Sequence, residues 1–178
     1  FNDFYLSVIP PMEFDEEYTF LESEYIGKKF TVDTVITVDL PENMQFSPYF
    51  ELSAESAGLR FTYYTNTLTS QEIDSFRDDY VTVEGEQTYE SLPWRTGSQL
   101  IIEVPAGITF TKIGFRRSGY ASERAGKFVS DNEDVNTLWE KAVNTLLICM
   151  RDTYMDCPER ERSPYIGDAA NQISETFY

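Results

Sequence analysis

Histidine is absent from this 178-residue chain, and that gap removes a large part of enzyme chemistry. Without an imidazole there is no Ser-His-Asp or Cys-His nucleophile and no His-ligated zinc site. Any acid–base work falls to carboxylates, tyrosine, lysine or cysteine. Cysteine is nearly as scarce. Cys149 and Cys157 are too few to build a zinc site by themselves. Two readings of them stand open: a disulfide in an oxidising compartment, or a buried thiol at Cys149 and a packed one at Cys157. Positive charge is short as well, with 14 Lys and Arg against 31 Asp and Glu, a formal net charge of -17. That balance argues against nucleic acid or an anionic membrane as partner, since both need clustered cations. Neutral ligands such as sugars remain compatible, because carboxylates accept hydrogen bonds from hydroxyl groups. Most of the charge reads as simple solubility. No uncharged apolar run is long enough to span a membrane, and the start lacks the basic–apolar–small pattern of a secretion signal. Phe1 stands where a methionine would begin a complete chain, so an upstream piece is expected.

What is present is ample apolar and aromatic material for a packed core. Up to about Tyr120 the chain reads as strands and turns. Val32–Val38 is β-branched and runs into Leu40-Pro41-Glu42-Asn43, a predicted turn. Phe50–Ala54 alternates, Ser56-Ala57-Gly58 turns, and Leu59–Tyr64 follows. Leu100–Val104 stops at Pro105-Ala106-Gly107, and Ile108–Phe115 then alternates with period two. Short strands so punctuated predict an antiparallel β-sandwich over residues 1–122, making the chain mainly β. The first two dozen residues, carrying Glu13, Asp15, Glu16, Glu17, Glu22 and Glu24, read as a leader or a first strand with an acidic outer face.

Residues 123–178 have a different period. Ser130-Asp131-Asn132-Glu133 has capping-box spacing, and Val135, Leu138, Trp139, Ala142, Val143, Leu146, Leu147 and Met150 recur at helical spacing. That stripe predicts a helix ending near Tyr154, with one face buried completely against other helices. A second helix is expected over 169–178 with Asp168 as its N-cap. Two helices cannot bury so wide a stripe, so they read as the first hairpin of a larger helical domain. Between them lies Asp156-Cys157-Pro158-Glu159-Arg160-Glu161-Arg162-Ser163-Pro164-Tyr165-Ile166-Gly167-Asp168. Carboxylates gathered against arginines are what sugar-cleaving sites use for an acid, a charge stabiliser and hydroxyl-binding groups. Pro158 and Pro164 prevent a continuous helix, so Asp156, Glu161 and Asp168 can converge on one pocket. Tyr165 offers either a flat face for a sugar or a core ring, and Arg160 either a substrate contact or a structural ion pair.

The same residues carry a family resemblance. Asp156-Cys157-Pro158-Glu159-Arg160-Glu161-Arg162, followed by an aromatic residue and Gly167-Asp168, resembles the signature of bacterial α-L-rhamnosidases of the six-hairpin glycosidase superfamily. Gly126–Trp139 is similar to that family's entry into its first barrel helix, and Arg117-Ser118-Gly119-Tyr120 to the end of the preceding sandwich. The resemblance implies a β-sandwich followed by the first hairpin of an (α/α)6 barrel, and inverting hydrolysis of terminal α-L-rhamnosides. It implies Glu161 as general acid, Asp156 and Asp168 as sugar-binding carboxylates, and Arg160 as the arginine beside the acid. Tyr165 stands where the family usually has tryptophan. The acidic residue often found between arginine and glutamate is missing, so an alignment with Glu159 as the acid also stands; Glu161 keeps Arg162 and the distance to Gly167-Asp168. The general base of such an enzyme lies far downstream in the barrel. The expected partners are therefore a rhamnoside substrate and the rest of the barrel, with no cofactor and no metal, and the 178 residues alone are expected to be inactive. An extracellular or periplasmic location fits enzymes of this kind, though no residue here shows it. Two alternatives remain: a non-catalytic carbohydrate-binding or interdomain sandwich, and a six-hairpin glycosidase for another sugar.

Overall fold

The longest run of β-branched and aromatic residues becomes one strand where two were expected. In a computed structural model describing residues 12–67, 77–120 and 126–176, β3 runs 21 residues from Thr34 to Ala54. The other strands are β1 (Met12–Phe14), β2 (Thr19–Phe20), β4 (Arg60–Thr65), β5 (Asp78–Val81), β6 (Gly85–Glu90), β7 (Arg95–Val104) and β8 (Ile108–Tyr120). The predicted turn at Leu40–Asn43 is therefore a correction. The ladder between β3 and β7 passes from Asp39 opposite Gln99 to Met44 opposite Gly97, and Pro41 falls in the skipped stretch. A proline has no N–H to give a ladder, and a bulge is where a strand tolerates one. The turns at Ser56–Gly58 and Pro105–Gly107 do form, and Gly107 takes the positive φ of 92° that such a turn requires.

The chain divides into two compact units, Asp15–Ser118 on the one hand and Phe1–Phe14 with Gly119–Tyr178 on the other. Within the first, β3 has two sets of partners. Its N-terminal half pairs with β7, which continues to β4 and β5. Its C-terminal half lies between β8 and β6, and β8 also carries β2. All of these pairings are antiparallel, as a sandwich of hairpins demands. Where the partners change, Met44–Phe50 is buried without a break, and alternation gives way to two-sided burial.

The core between the layers is largely aromatic. Phe50 of β3 meets Phe61 of β4 at 5.2 Å, Tyr63 at 5.3 Å and Phe110 of β8 at 5.8 Å between ring centroids. Phe61 and Phe110 cross edge to face at 5.5 Å. Such pairs add to the gain from burial, because ring edges are positive and faces negative. The Tyr63 hydroxyl, deep in the same cluster, donates to Ser91 Oγ at 2.9 Å and so is not left unsatisfied. At Gly97 an added Cβ would come within 2.7 Å of Thr65 Cβ, so β4 and β7 approach closely only because that position is bare.

Of the acidic opening segment, Met12–Phe14 and Thr19–Phe20 form short strands, and residues 1–11 lie outside the described residues. In the second unit α1 runs from Glu133 to Ile148 and α2 from Ile166 to Glu175. Three details correct the sequence reading. Asn132, not Ser130, caps α1, its side chain accepting from Asp134 N–H at 2.9 Å; Ser130 Oγ instead accepts from Asn132 N–H at 3.2 Å. α1 ends at Cys149, whose N–H turns back to Leu146 and Thr145, and a bridge between Met150 and Tyr154 follows in place of a last helical turn. α2 begins three residues earlier than expected with Tyr165 at the cap, so Asp168 sits inside its first turn.

The Phe50 cluster makes a quantitative prediction. Phe50→Ala leaves a large hole among rings that cannot collapse, and denaturant unfolding will show a loss of about 3–5 kcal/mol. Leu92→Ala, at a site 95% exposed, will change stability by less than about 0.5 kcal/mol.

Candidate functional site

The charged segment between α1 and α2 folds as a closed loop. Its base is a pair of hydrogen bonds between two residues: Asp156 N–H donates to Ser163 O, and Ser163 N–H donates to Asp156 Oδ1, both at 3.0 Å. Between them Pro158–Glu161 make a tight turn. Arg162 ends that turn in the left-handed region at φ 51°, and its Nε donates back to Pro158 O at 2.8 Å. A non-glycine residue there costs about 1 kcal/mol or more, so the surrounding bonds hold the turn against its own backbone preference. Further ties fasten the loop to the helices. Met155 N–H donates to Cys149 O at 2.8 Å, and Gln172 Nε2 of α2 donates to Met155 O at 2.7 Å.

The five sequence-predicted residues are treated unequally by this geometry. Asp156 and Glu161 are brought together, with Cys157 between them: the thiol and one oxygen of each carboxylate all lie within 4.8 Å of one another. Cys157 Sγ donates to Glu161 Oε2 at 3.1 Å, and Arg160 Nε stands 3.6 Å from the same oxygen. Arg160 thus takes the ion-pair geometry, although both partners are well exposed and such a pair contributes little to stability. Tyr165 is 52% exposed within residues 1–178. Asp168 is exposed on the first turn of α2, where a carboxylate complements the helix dipole, and lies outside the Asp156–Cys157–Glu161 grouping. Two carboxylates and a thiol are also a possible donor set for a cation, and the thiol hydrogen bond joins two of the three, Cys157 and Glu161.

Burial and charge sort the remaining groups. Both cysteines are free thiols, Cys149 buried and Cys157 partly so. Burial, with Cys157 and Asp156 nearby, pushes the Cys149 thiol up to about 11. Arg151 is 7% exposed, and burial together with repulsion from Arg162 lowers its guanidinium to about 10, still charged at neutral pH. Glu159 is only 9% exposed, whereas the Glu161 side chain is 39% exposed. Burial opposes ionisation of Asp156, but hydrogen bonds from Ser163 and Cys157 outweigh it and bring the carboxyl below its ordinary value.

A cavity of about 640 Å³ opens beside the loop's supporting helices, lined by Trp139, Val143, Leu146, Leu147 and Met150 with Tyr154 and Thr176. None of the five predicted residues lines it. Its walls are the apolar stripe of α1, whose burial was expected against helices that residues 1–178 do not include. No residue of α1 is fully buried, and Leu138 is 67% exposed. No described helix is long and apolar enough to cross a membrane. Sequence reasoning had not singled out Ser163 or Gln172, which hold the loop, or the bond from Cys157 to Glu161. The positions of Pro158 and Pro164 mark the loop's limits, but nothing in the residue string marks which partners close it.

Comparison with known proteins places these features in context. Residues 123–178 match the model of the bacterial alpha-L-rhamnosidase 6 hairpin glycosidase domain. No curated protein matches the chain. Among solved structures it is similar to a GH78 family rhamnosidase of Bacillus sp. GL1, with 26% identity, a TM-score of 0.72, and coverage of 92% of this chain and 18% of that one. It also resembles the alpha-L-rhamnosidase of Dictyoglumus thermophilum, at 19% identity and TM-score 0.75, covering 98% of this chain and 21% of that one. A third is the rhamnosidase from Klebsiella oxytoca with rhamnose bound, at 14% identity and TM-score 0.74, covering 92% and 40% respectively. The chain thus spans less than half the length of each of these three structures.

Asp156 supplies a prediction on loop integrity. Asp156→Ala removes the acceptor for Ser163 N–H, and amide hydrogen exchange at Ser163 will accelerate about 10- to 100-fold, as loss of a hydrogen bond to a charged group implies. The pH dependence has a fixed sign. Because the folded carboxyl titrates below its ordinary 3.8, its contribution is complete above that value and is lost as pH falls through the folded one. Protection at Ser163 will hold to pH 3.8 and decline below it.

Proposed function

We propose, from the match of residues 123–178 to the bacterial alpha-L-rhamnosidase 6 hairpin glycosidase domain, that the chain is part of a glycoside hydrolase that cleaves terminal α-L-rhamnosides with inversion. The 1–122 portion is its sandwich domain, and 123–178 is the entry to the catalytic barrel. The observation that carries this reading is the strapped loop, which presents Glu161 to solvent with a second carboxylate, Asp156, and an arginine, Arg160, beside it.

In the proposed reaction Glu161 is the general acid. It gives its proton to the glycosidic oxygen as the bond from that oxygen to the anomeric carbon breaks, and the leaving alcohol departs neutral. Water attacks the opposite face of the ring, and its proton passes to a general base roughly 6.5–9.5 Å from the acid. That base belongs to the part of the barrel not included in residues 1–178. Exposure supports Glu161 over Glu159 for the acid, because a proton donor must reach an entering substrate. Asp156 and Asp168 accept from sugar hydroxyls, Arg160 stands beside the acid, and the exposed ring of Tyr165 offers a stacking face. The remaining helices of the barrel are the proposed cover for the open apolar groove of α1.

The experiment is Glu161→Gln in the full-length protein, assayed on a panel of aryl glycosides. Only α-L-rhamnosides will be cleaved by the parent, and the variant will lose about 10²- to 10⁴-fold in kcat/KM on a phenyl rhamnoside. Retained cleavage, or turnover of a different sugar, overturns the assignment. The isolated 178-residue polypeptide will hydrolyse no aryl rhamnoside, since an inverting mechanism needs both acid and base.

A further inference from the structure

Both neighbours of Glu161 approach the same oxygen. Cys157 Sγ lies 3.1 Å and Arg160 Nε 3.6 Å from Oε2, and Oε1 has no partner among the described residues. The asymmetry follows from the loop. Cys157 precedes the Pro158–Glu161 turn and Glu161 closes it, so the turn carries the carboxylate back over the thiol. The Arg162 bond to Pro158 O and the Asp156–Ser163 pair fix the two ends of that arrangement.

The difference between the two oxygens matters for a proton donor. A carboxylic acid has one oxygen that carries the proton and donates, and one that only accepts. Oε2 faces a guanidinium, which has no lone pair to receive a proton, and a thiol already aimed at it. A proton placed on Oε2 would oppose the thiol donor and the guanidinium charge beside it. A proton on Oε1 leaves Oε2 as the acceptor that the thiol requires and as the oxygen nearer the guanidinium.

We propose that Cys157 is a positioning residue for the reaction: with Arg160 it holds Oε2 of Glu161 and so leaves Oε1 as the oxygen that carries and delivers the proton. The inference rests on the reading of Glu161 as general acid given above. It assigns Cys157 a role through Glu161 and no contact with substrate. Arg160 is too exposed to hold the carboxylate alone, with 59% of its side chain accessible. The thiol is the closer and less exposed of these two neighbours, and the one that hydrogen-bonds to Oε2.

The test uses full-length protein and a pair of substrates, a phenyl and a dinitrophenyl α-L-rhamnoside. A poor leaving group such as phenoxide needs the proton, whereas dinitrophenoxide leaves with little help. Misplacing the acid therefore penalises the phenyl substrate selectively. Cys157→Ala will lower kcat on the phenyl rhamnoside about 10- to 100-fold with KM little changed, the size expected when one hydrogen bond to a charged group is lost. The ratio of dinitrophenyl to phenyl kcat will rise about tenfold or more. Cys157→Ser, which restores a donor, will recover most of the phenyl activity. Methylthiolation of the parent will reproduce the alanine result and reverse with a thiol reductant. Cys149, buried and with its thiol raised to about 11, reacts far more slowly. This arm applies even where a substituted chain fails to fold.

Equal losses on both substrates, or no loss on either, overturn the proposal and leave Cys157 a packing residue. Glu161→Gln run in parallel separates the two ideas. If it keeps phenyl activity, the general-acid reading fails and this proposal falls with it. If it loses that activity while Cys157→Ala shows no leaving-group selectivity, only the positioning role is overturned.

Discussion

A strand of 21 residues imposes the sandwich. β3 has to find hydrogen-bond partners along its whole length, and twisted neighbours cannot follow so long a strand in a single layer. The pairing therefore changes hands near Phe46, which lies opposite Arg95 of β7 and also opposite Arg117 of β8. Before that point β3 serves the layer continued by β7, β4 and β5; after it, the layer of β6, β8 and β2. The aromatic cluster around Phe50 fills the space that this change creates. Pro41 belongs to the same constraint, since the ladder is already interrupted where the proline would have failed to donate.

The loop between α1 and α2 shows the opposite economy, a short segment held by few but well-placed bonds. Asp156 binds Ser163 through both backbone and side chain, Arg162 accepts an unfavourable φ, and Gln172 ties α2 to Met155. The result is a turn in which neighbouring charged residues have different environments. Arg151 and Glu159 are buried while Arg160 and Glu161 are exposed. Buried ionic groups need compensation from their surroundings and are poorly suited to meeting a substrate. Exposed ones are free to do so.

Much of this was legible in the sequence, and the parts that were not share a cause. Period-two alternation at Ile108–Phe115 and the glycines of the turns gave the sandwich, because alternation and positive φ are local properties. Leu40–Asn43 was misread as a turn because proline signals a break in pairing without saying whether the chain reverses or continues. The helix caps were misplaced by two to three residues for a similar reason. Ser130 and Asn132 are equally good capping types, and which one sits at the helix start depends on where the loop enters. The apolar spacing that runs on to Met150 and Tyr154 could not reveal that the backbone closes a bridge between them instead of another helical turn. At the site, the motif made Asp156 and Glu161 visible, while their nearness to Cys157 is tertiary and carries no local signature.

The choice between Glu159 and Glu161 illustrates what geometry adds to a motif. Both glutamates stand beside arginines, so neighbour chemistry alone cannot separate them. The turn beginning at Pro158 does separate them, because residues two apart in a tight turn point to different sides of it. One glutamate is sent inward, with 9% of its surface left, and the other outward, where 39% of the side chain stays accessible. Reversing that split would require a different turn, and the left-handed Arg162 with its bond to Pro158 O holds the existing one in place. The strain at Arg162 and the exposure of Glu161 are thus two aspects of one local conformation. A change at Arg162 that leaves every carboxylate in the sequence untouched would still alter which of them faces solvent.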